Sequence, residues 1–471
     1  MIRFGSKLHP VGRRIPLMIK VVDTIGKPPQ FWDRNVVFVA NLMGLFFENE
    51  EETQMLADAV GEVDSYGGRL LPMLDLVYRG GGRNHLILER GPDPALSGYF
   101  LESGLTLPET SILPHREYLK WGEKMGDEKL ANGSAGIFGR IAEHPASYLD
   151  GYVTDEILCD LAAWAEKPTC STSQGSRKGN NKVLLHQHLE SVGLPTPGTE
   201  LAESPRDVRR CLESLEKSGY TSAVIRAPIG ASGIGMVKVD SLAQEKEVAV
   251  PEHFFGEGAC LVQGWLREGE FGVTGVCSPS VQLFLGETEV RLFDMTEQIL
   301  SSDSIHEGNE SPPFYLSQHE GLQEELLRQA GIAGEWLHSQ GYRGTGSVDF
   351  LITFDSEGWT VYVCEINARV TGATYPSVLA RHFLPEGAWL LRNLRFHEPL
   401  PGEELLELMR SSGDLFLPGE SDFGIFPVNF NFGKDGLVHK GQFLCLSASR
   451  LSNKMLLRVA ELDLPCTPER D

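Results

Sequence analysis

The sequence predicts an α/β protein with α+β subdomains, and three observations carry that prediction. Apolar strand candidates alternate with helical patterns through residues 1–180, the signature of a layered parallel sheet. From 181 to about 260 the pattern changes to helix and short strands. Residues 261–395 then hold longer strands, two helices near 319–340 and 376–393, and a hairpin turning at Asp355-Ser-Glu-Gly358. A chain of 471 residues exceeds what one core serves and implies about three domains. The expected division is an N-terminal α/β unit at 1–180, a small unit at 181–265, a larger one at 266–395 and a C-terminal extension at 396–471.

In the N-terminal unit, Val36–Ala40, Leu70–Leu74 and Leu86–Glu89 read as strands, Glu50–Val60 as a helix, and Tyr99–Gly104 as the end of another. Gly80-Gly-Gly-Arg83 and Ala131-Asn-Gly-Ser134 are loops. The polar, glycine-rich stretch Ser171–Asn181 reads as a linker or mobile loop. Asn180 or Asn181 then caps a helix over 182–192, which Gly193 closes and Pro195 prevents from continuing. In the extension, Gly424–Phe430 and Gly441–Ser447 are two further strands of an accessory layer.

With 42 basic against 65 acidic residues, the formal charge is −23. Sequence-independent binding to nucleic acid or to an anionic membrane needs a basic footprint and is not expected. Eight cysteines without a Cys-x-x-Cys pair suit a reduced, cytoplasmic protein. The N-terminus lacks the apolar run of a signal peptide. The longest apolar stretch, Val36–Phe47, is too short to cross a bilayer and carries Asn41 and Gly44.

The strongest chemical signal is Glu365-Ile-Asn367-Ala-Arg369, read with Asp349 sixteen residues before Glu365. Side chains alternate along a strand, so Glu365, Asn367 and Arg369 share one face and Asp349 stands beside them across the hairpin. Two carboxylates and an amide oxygen are a hard donor set suited to Mg²⁺ shared with a polyphosphate. Upstream, Ala223-Val-Ile-Arg226 runs into Ile229-Gly-Ala-Ser232-Gly233-Ile234-Gly235-Met236, a strand, a glycine loop and a second strand. Its glycines expose successive N–H groups toward an anion, although a glycine loop by itself is more often a plain hairpin turn. Arg226 can fork onto phosphate oxygens or form a surface ion pair. Lys182, at the start of its helix, can reach a phosphate or stay solvated. Cys260-Leu-Val-Gln263-Gly264-Trp265-Leu266 is an apolar strand that turns polar at Arg267-Glu-Gly-Glu270. Such a strand suits a hinge against an adenine, and also an ordinary interdomain connection.

Over residues 181–390 these pieces, in this order, resemble the ATP-grasp ligase superfamily. Gly235-Met-Val-Lys-Val239 and Trp265-Leu-x-x-x-Glu270-Phe look like D-alanine–D-alanine ligases. Glu365-Ile-Asn-Ala-Arg-Val-Thr-Gly-Ala-Thr-Tyr-Pro376 more narrowly resembles pheganomycin-type ATP-grasp peptide ligases. The resemblance implies an ATP-grasp fold with the nucleotide cleft between two α+β subdomains, and ATP with one or two Mg²⁺ (Mn²⁺ being an alternative). It implies Lys182 and Arg226 on phosphates, Ser232, Gly233, Ile234, Gly235 and Met236 covering them, Gln263, Gly264, Trp265 and Leu266 on adenine, and Glu270 on ribose. Asp349, Glu365 and Asn367 would hold the metal, and Arg369 would meet the reacting carboxylate. Most members carry lysine where Arg226 stands. A further lysine of D-alanine ligases falls near Gln298, for which Arg291 could substitute.

The implied reaction is a carbon–nitrogen ligation that joins a small-molecule carboxylate to an amine or peptide acceptor in peptide natural-product biosynthesis. Arg79, Arg83 and Arg90 are candidates for a peptide carboxylate, or surface pairs. His306, in the Ser301–Pro313 loop, is either a base for the amine or a solvated loop histidine. A homodimer is compatible with this reading. The competing expectations are a noncatalytic ATP-binding scaffold and an ATP-grasp enzyme of a nonpeptide carboxylate.

Overall fold

Three sheets organise the chain, each with its own covering helices. The computed structural model describes residues 19–28, 31–47, 49–59, 63–78, 83–124, 136–231, 233–245, 248–300 and 306–467. Arg79, Ser232 and the loops at 80–82, 131–134 and 301–305 lie outside them. The first sheet is four-stranded and fully parallel, in the order Glu109–Ile112, His85–Leu88, Val36–Val39, Tyr148–Gly151. Val36–Val39 and His85–Leu88 are buried on both faces, as expected where helices cover a parallel sheet from each side. The helix Glu50–Ala59 forms as its pattern predicts, and Pro94–Glu102 is capped by Asp93, whose side chain accepts from Leu96 N–H.

The second sheet is antiparallel, in the order Thr199–Ala202, Cys260–Gly264, Ala223–Ala231, Ile234–Val239. The helix Pro205–Lys217 buries Val208, Cys211, Leu212 and Leu215 in this sheet's own core. The third sheet has eleven strands. Its centre is the pairing of Pro279–Leu285 with Gly344–Phe354 and Glu289–Leu300, backed by the helix Leu322–Ser339. Distant segments complete it. Lys20–Asp23 pairs in parallel with Glu289–Leu292, and Ala388–Leu400 joins His306–Ser311 to the tail strands Val438–Ser447 and Gly424–Phe432. The strand Ala388–Leu400 runs through residue 395, so the tail continues this sheet. The tail also packs on the N-terminal unit. Phe426 stacks on Phe100 at 5.4 Å, Tyr99 Oη donates to Phe416 O (2.7 Å), and Asn429 Nδ2 donates to Ser65 O (3.0 Å).

Three sequence expectations are corrected. Leu70–Leu74 is not a strand but the end of the 3₁₀ helix Val63–Leu70, a turn, and the start of the short helix Leu74–Val77. Pro72 cannot donate to a ladder, and a short buried apolar run does not reveal its own period. Ser171–Asn181 is not a linker but contains the helix Ser173–Gly179, capped by Thr172 and followed by Lys182–Ser191, capped by Asn181. Its glycines serve close packing: a Cβ on Gly179 would lie 2.4 Å from Leu337 Cδ1. The helix expected near 376–393 is Thr374–Phe383; Pro385 and Gly387 separate it from the strand that begins at Ala388.

Candidate functional site

The second and third sheets face each other across a cavity of about 530 Å³. The hairpin Ala223–Ala231/Ile234–Val239 supplies one wall. Its paired register ends at Arg226↔Met236 and resumes at Ala231↔Ile234, so the loop bulges over the opening. Gly233 (φ +82°) and Gly235 (φ +79°) hold this bulge in the left-handed region that only glycine enters freely. Gly233, Ile234, Gly235 and Met236 all line the cavity, as do Gln263, Gly264, Trp265 and Leu266 on the connecting strand. Glu270 does not. Its carboxylate is held by Arg267 Nε (2.5 Å) and by the Thr221 hydroxyl, and Glu268 lines the cavity instead.

The acidic strands meet as their spacing requires. Asp349 and Glu365 are register partners across the hairpin Gly344–Phe354/Trp359–Asn367. The next pair is Phe350↔Val363, which leaves Cys364 as the extra residue of a β-bulge. Its carbonyl accepts from Arg226 Nη1 (3.1 Å), while Arg226 Nη2 bonds Glu365 Oε2 at 2.6 Å. Lys182 Nζ lies 3.4 Å from the same Glu365 oxygen and donates to Gly230 O (3.1 Å). Asp349 Oδ1 accepts from the hydroxyls of Ser280 (2.6 Å) and Ser347 (3.1 Å), and its Oδ2 from Asn367 Nδ2 (2.8 Å). Arg369 Nη1 donates to Asn367 Oδ1 and to Asn180 Oδ1 (3.1 Å).

Electrostatics separates the two carboxylates. Burial would raise Glu365, but Lys182, Arg226 and Arg369 overcome it and hold this carboxyl below its ordinary value. Burial, and then the charge of Glu365, push Asp349 up. Burial lowers the Lys182 ammonium, against the opposing pull of Glu365. Among the described residues no three His, Cys, Asp or Glu side chains converge as a metal site. The oxygen set is therefore two carboxylates and one amide, a donor chemistry that fits Mg²⁺.

Behind the acidic pair a second cavity, of about 230 Å³, opens toward the N-terminal unit. The two cavities share Asp349, Glu365, Gln298 and Gly233, so the carboxylates stand at their junction. Asn367, Arg369 and His306 line the second cavity. His306 is not a solvated loop residue: it begins the strand His306–Ser311, its Nε2 lies 2.7 Å from Asn309 Nδ2, and burial lowers its pKa.

Other candidates stand apart. Arg291 lines neither cavity. It lies seven residues from Gln298 on one strand, about 23 Å at ~3.3 Å per residue, and pairs with Glu289. Arg83 is exposed. Arg90 donates to Phe432 O (3.3 Å) and faces that ring at 5.0 Å, a tie between the N-terminal unit and the tail. Sequence reasoning missed Asn180, which orients Arg369 and accepts from Ala368 N–H (3.1 Å). It also missed Arg69, Tyr66 and Tyr152 in the second cavity. Asn180 reads as a cap from sequence, and the other three carry no local motif.

Comparisons with known proteins agree with this geometry. Residues 179–373 match the model of the ATP-grasp domain. A curated relative, the [butirosin acyl-carrier protein]–L-glutamate ligase of Niallia circulans, is 28% identical over 209 residues, covering 42% of this chain and 45% of the relative. The match therefore spans less than half of that protein. The structure is similar to biotin carboxylase from Campylobacter jejuni (TM-score 0.56, 13% identity, 92% of each chain). It is also similar to the L-amino acid ligase from Bacillus licheniformis (TM-score 0.53, 12% identity, 93% of this chain and 99% of that one). Identities this low speak for the fold alone. Residues 179–373 thus match an ATP-grasp domain.

Proposed function

We propose that this chain is an ATP-dependent carboxylate–amine ligase, joining an acid to a peptide amine through an acyl phosphate and releasing ADP and phosphate. The observation that carries the reading is the placement of Asp349 and Glu365 at the junction of two cavities, with Asn367 beside them in the smaller one. The larger is within the size range of small-molecule sites and suits a nucleotide. The smaller one, with Arg369, suits the acid that is activated. The name of the curated relative, a ligase of L-glutamate and an acyl-carrier protein of butirosin, supports a role in natural-product assembly. So does the narrower likeness to pheganomycin-type ligases.

In this reading Lys182 and Arg226 turn from Glu365 to the nucleotide phosphates, and the loop at 233–236 covers them. Asp349, Glu365 and Asn367 would hold one or two Mg²⁺, or Mn²⁺, and the ions would neutralise charge on the phosphate oxygens. Arg369, fixed by Asn180, orients a substrate carboxylate for in-line attack on the γ-phosphorus. The amine then attacks the acyl carbon and phosphate departs, so the amide carries one water fewer than its two parents. No protein nucleophile takes part, and positioning with preorganised charge supplies the rate. The eight free cysteines support a reducing, cytoplasmic setting.

The test incubates the full chain with Mg-ATP and a panel of amino acids and short peptides, following ADP, phosphate and product mass. ADP together with an amide supports ligation. AMP with pyrophosphate would replace the reading by adenylation, and ATP binding without turnover in every pairing would favour a scaffold. Glu365→Gln removes a carboxylate that faces three cations, and we expect turnover to fall at least 1,000-fold, on the order of 4 kcal/mol, with the fold retained.

A further inference from the structure

Arg69 is a buried cation for which the ligation just described has no use. It comes from the 3₁₀ helix Val63–Leu70 of the N-terminal unit, is 4% exposed, and lines the smaller cavity. Its Nε donates to Tyr66 O (2.9 Å) and its Nη1 to Tyr375 Oη (3.2 Å). The guanidinium carbon lies 3.1 Å from the centre of the Tyr66 ring and 5.1 Å from that of Tyr375. Aromatic faces favour a cation and fix its plane, yet among the described residues no carboxylate pairs with Arg69 and its two hydrogen bonds use only Nε and Nη1. In the same cavity wall the hydroxyl of Tyr152, 3% exposed, has no hydrogen-bond partner among the described residues. A buried guanidinium without a carboxylate and a buried hydroxyl without an acceptor are costly unless something completes them.

The acids that share this cavity do not complete them. Glu365 is held by Lys182 and Arg226, and Asp349 by two hydroxyls and an amide. The cavity therefore carries two guanidinium groups, Arg369 beside the acidic pair and Arg69 on the N-terminal unit. A volume of about 230 Å³ is on the scale of one amino-acid residue, so a ligand that met both groups would be short.

We propose that Arg69, assisted by the Tyr152 hydroxyl, binds a free carboxylate of the substrate that takes no part in bond formation. Nη2–H and the tyrosine O–H donate to its two oxygens, and the rings of Tyr66 and Tyr375 hold the guanidinium in place. The proposal rests on the ligase reading for its substrates. That carboxylate comes either from the C-terminus of the amine or from a second acid group on the activated partner.

The test separates these sources. With full-length protein and Mg-ATP, L-alanyl-L-alanine is compared with its C-terminal amide as the amine, and L-glutamate with L-glutamine as the acid. Wild type is expected to favour the carboxylate form at least tenfold in KM in one of the two arms. Arg69→Met should raise that KM at least tenfold while leaving the KM of the amide form and of ATP unchanged. Arg69→Lys, which keeps the charge without the fork, and Tyr152→Phe should show smaller losses confined to the carboxylate form. Calorimetric binding of the same four compounds to the ADP-loaded protein reads the subsite without turnover. If wild type ligates no pair, the ligase reading fails, while carboxylate binding lost in Arg69→Met would still sustain the subsite. Equal weakening of carboxylate and amide forms in Arg69→Met and Arg69→Lys, or an unchanged preference in both, would overturn the proposal.

Discussion

Replacing Arg226 by lysine tests whether charge alone suffices at this position. The side chain is 15% exposed and meets the Glu365 carboxylate at 2.6 Å and the Cys364 carbonyl at 3.1 Å, with the Gln263 amide oxygen 3.4 Å away. A lysine keeps the ion pair with Glu365. It cannot also reach the Cys364 carbonyl at the β-bulge. Leaving that half-buried acceptor unanswered costs about 1–3 kcal/mol. We expect Arg226→Lys to lower the melting temperature of the unliganded protein by roughly 2–12 °C, at about 2–4 °C per kcal/mol. The kcat/KM for ATP should fall about 10- to 100-fold, because the phosphate also loses a fork. Calorimetry reads the first effect and steady-state ADP release the second. A variant that melts with wild type and turns over ATP equally well would refute the claim that Arg226 supports the bulge.

Two further outcomes follow from the packing and the buried charges. Burial raises the carboxyl of Glu297 to about 7, against hydrogen bonds from Tyr315 and Ser278, so the folded state favours its protonated form. The associated stability is complete below pH 4.5 and is lost as pH rises through about 7, worth on the order of 3 kcal/mol. Glu297→Gln should therefore melt higher than wild type at pH 8 and with it at pH 4.5; an equal difference at both pH values would rule this out. Phe426, fully buried, joins the tail to Phe100 and Tyr99 of the N-terminal unit, and Phe426→Ala should cost about 3–5 kcal/mol, read in urea unfolding. A loss below 1 kcal/mol would mean that this junction contributes little to stability.

How much was legible depended on how local each signal was. Asp349, Glu365, Asn367 and Arg369 sit on one hairpin, and period-two alternation with a short turn was enough to bring them together. Lys182 and the loop at 233–236 were legible because a cap and a glycine run announce themselves in a few residues. Arg69 was not, since its role depends on Tyr375 and Tyr152, 306 and 83 residues away in sequence. Arg291 was misplaced for the opposite reason: proximity along a strand was taken for proximity in space, and an extended chain carries it out of the site. Glu270 had the right chemistry, but Arg267 and Thr221 claim its carboxylate and Glu268 faces the cavity. The helix at 173–179 was hidden because polar residues and glycines usually signal exposure, whereas here the glycines admit Leu337 and Gly341. In the tail, both strands were recognised, but their partner, the strand Ala388–Leu400, lay under an expected helix.

The assembly of the eleven-stranded sheet limits how this chain can be dissected. A fragment cut to residues 179–373 would lose Lys20–Asp23 and Ala388–Leu400 together. Two rows of backbone donors and acceptors, along 289–292 and 308–311, would then face water as adhesive edges. Such a fragment should self-associate rather than fold as a soluble module, so residues 179–373 and their flanking segments form one inseparable folding unit.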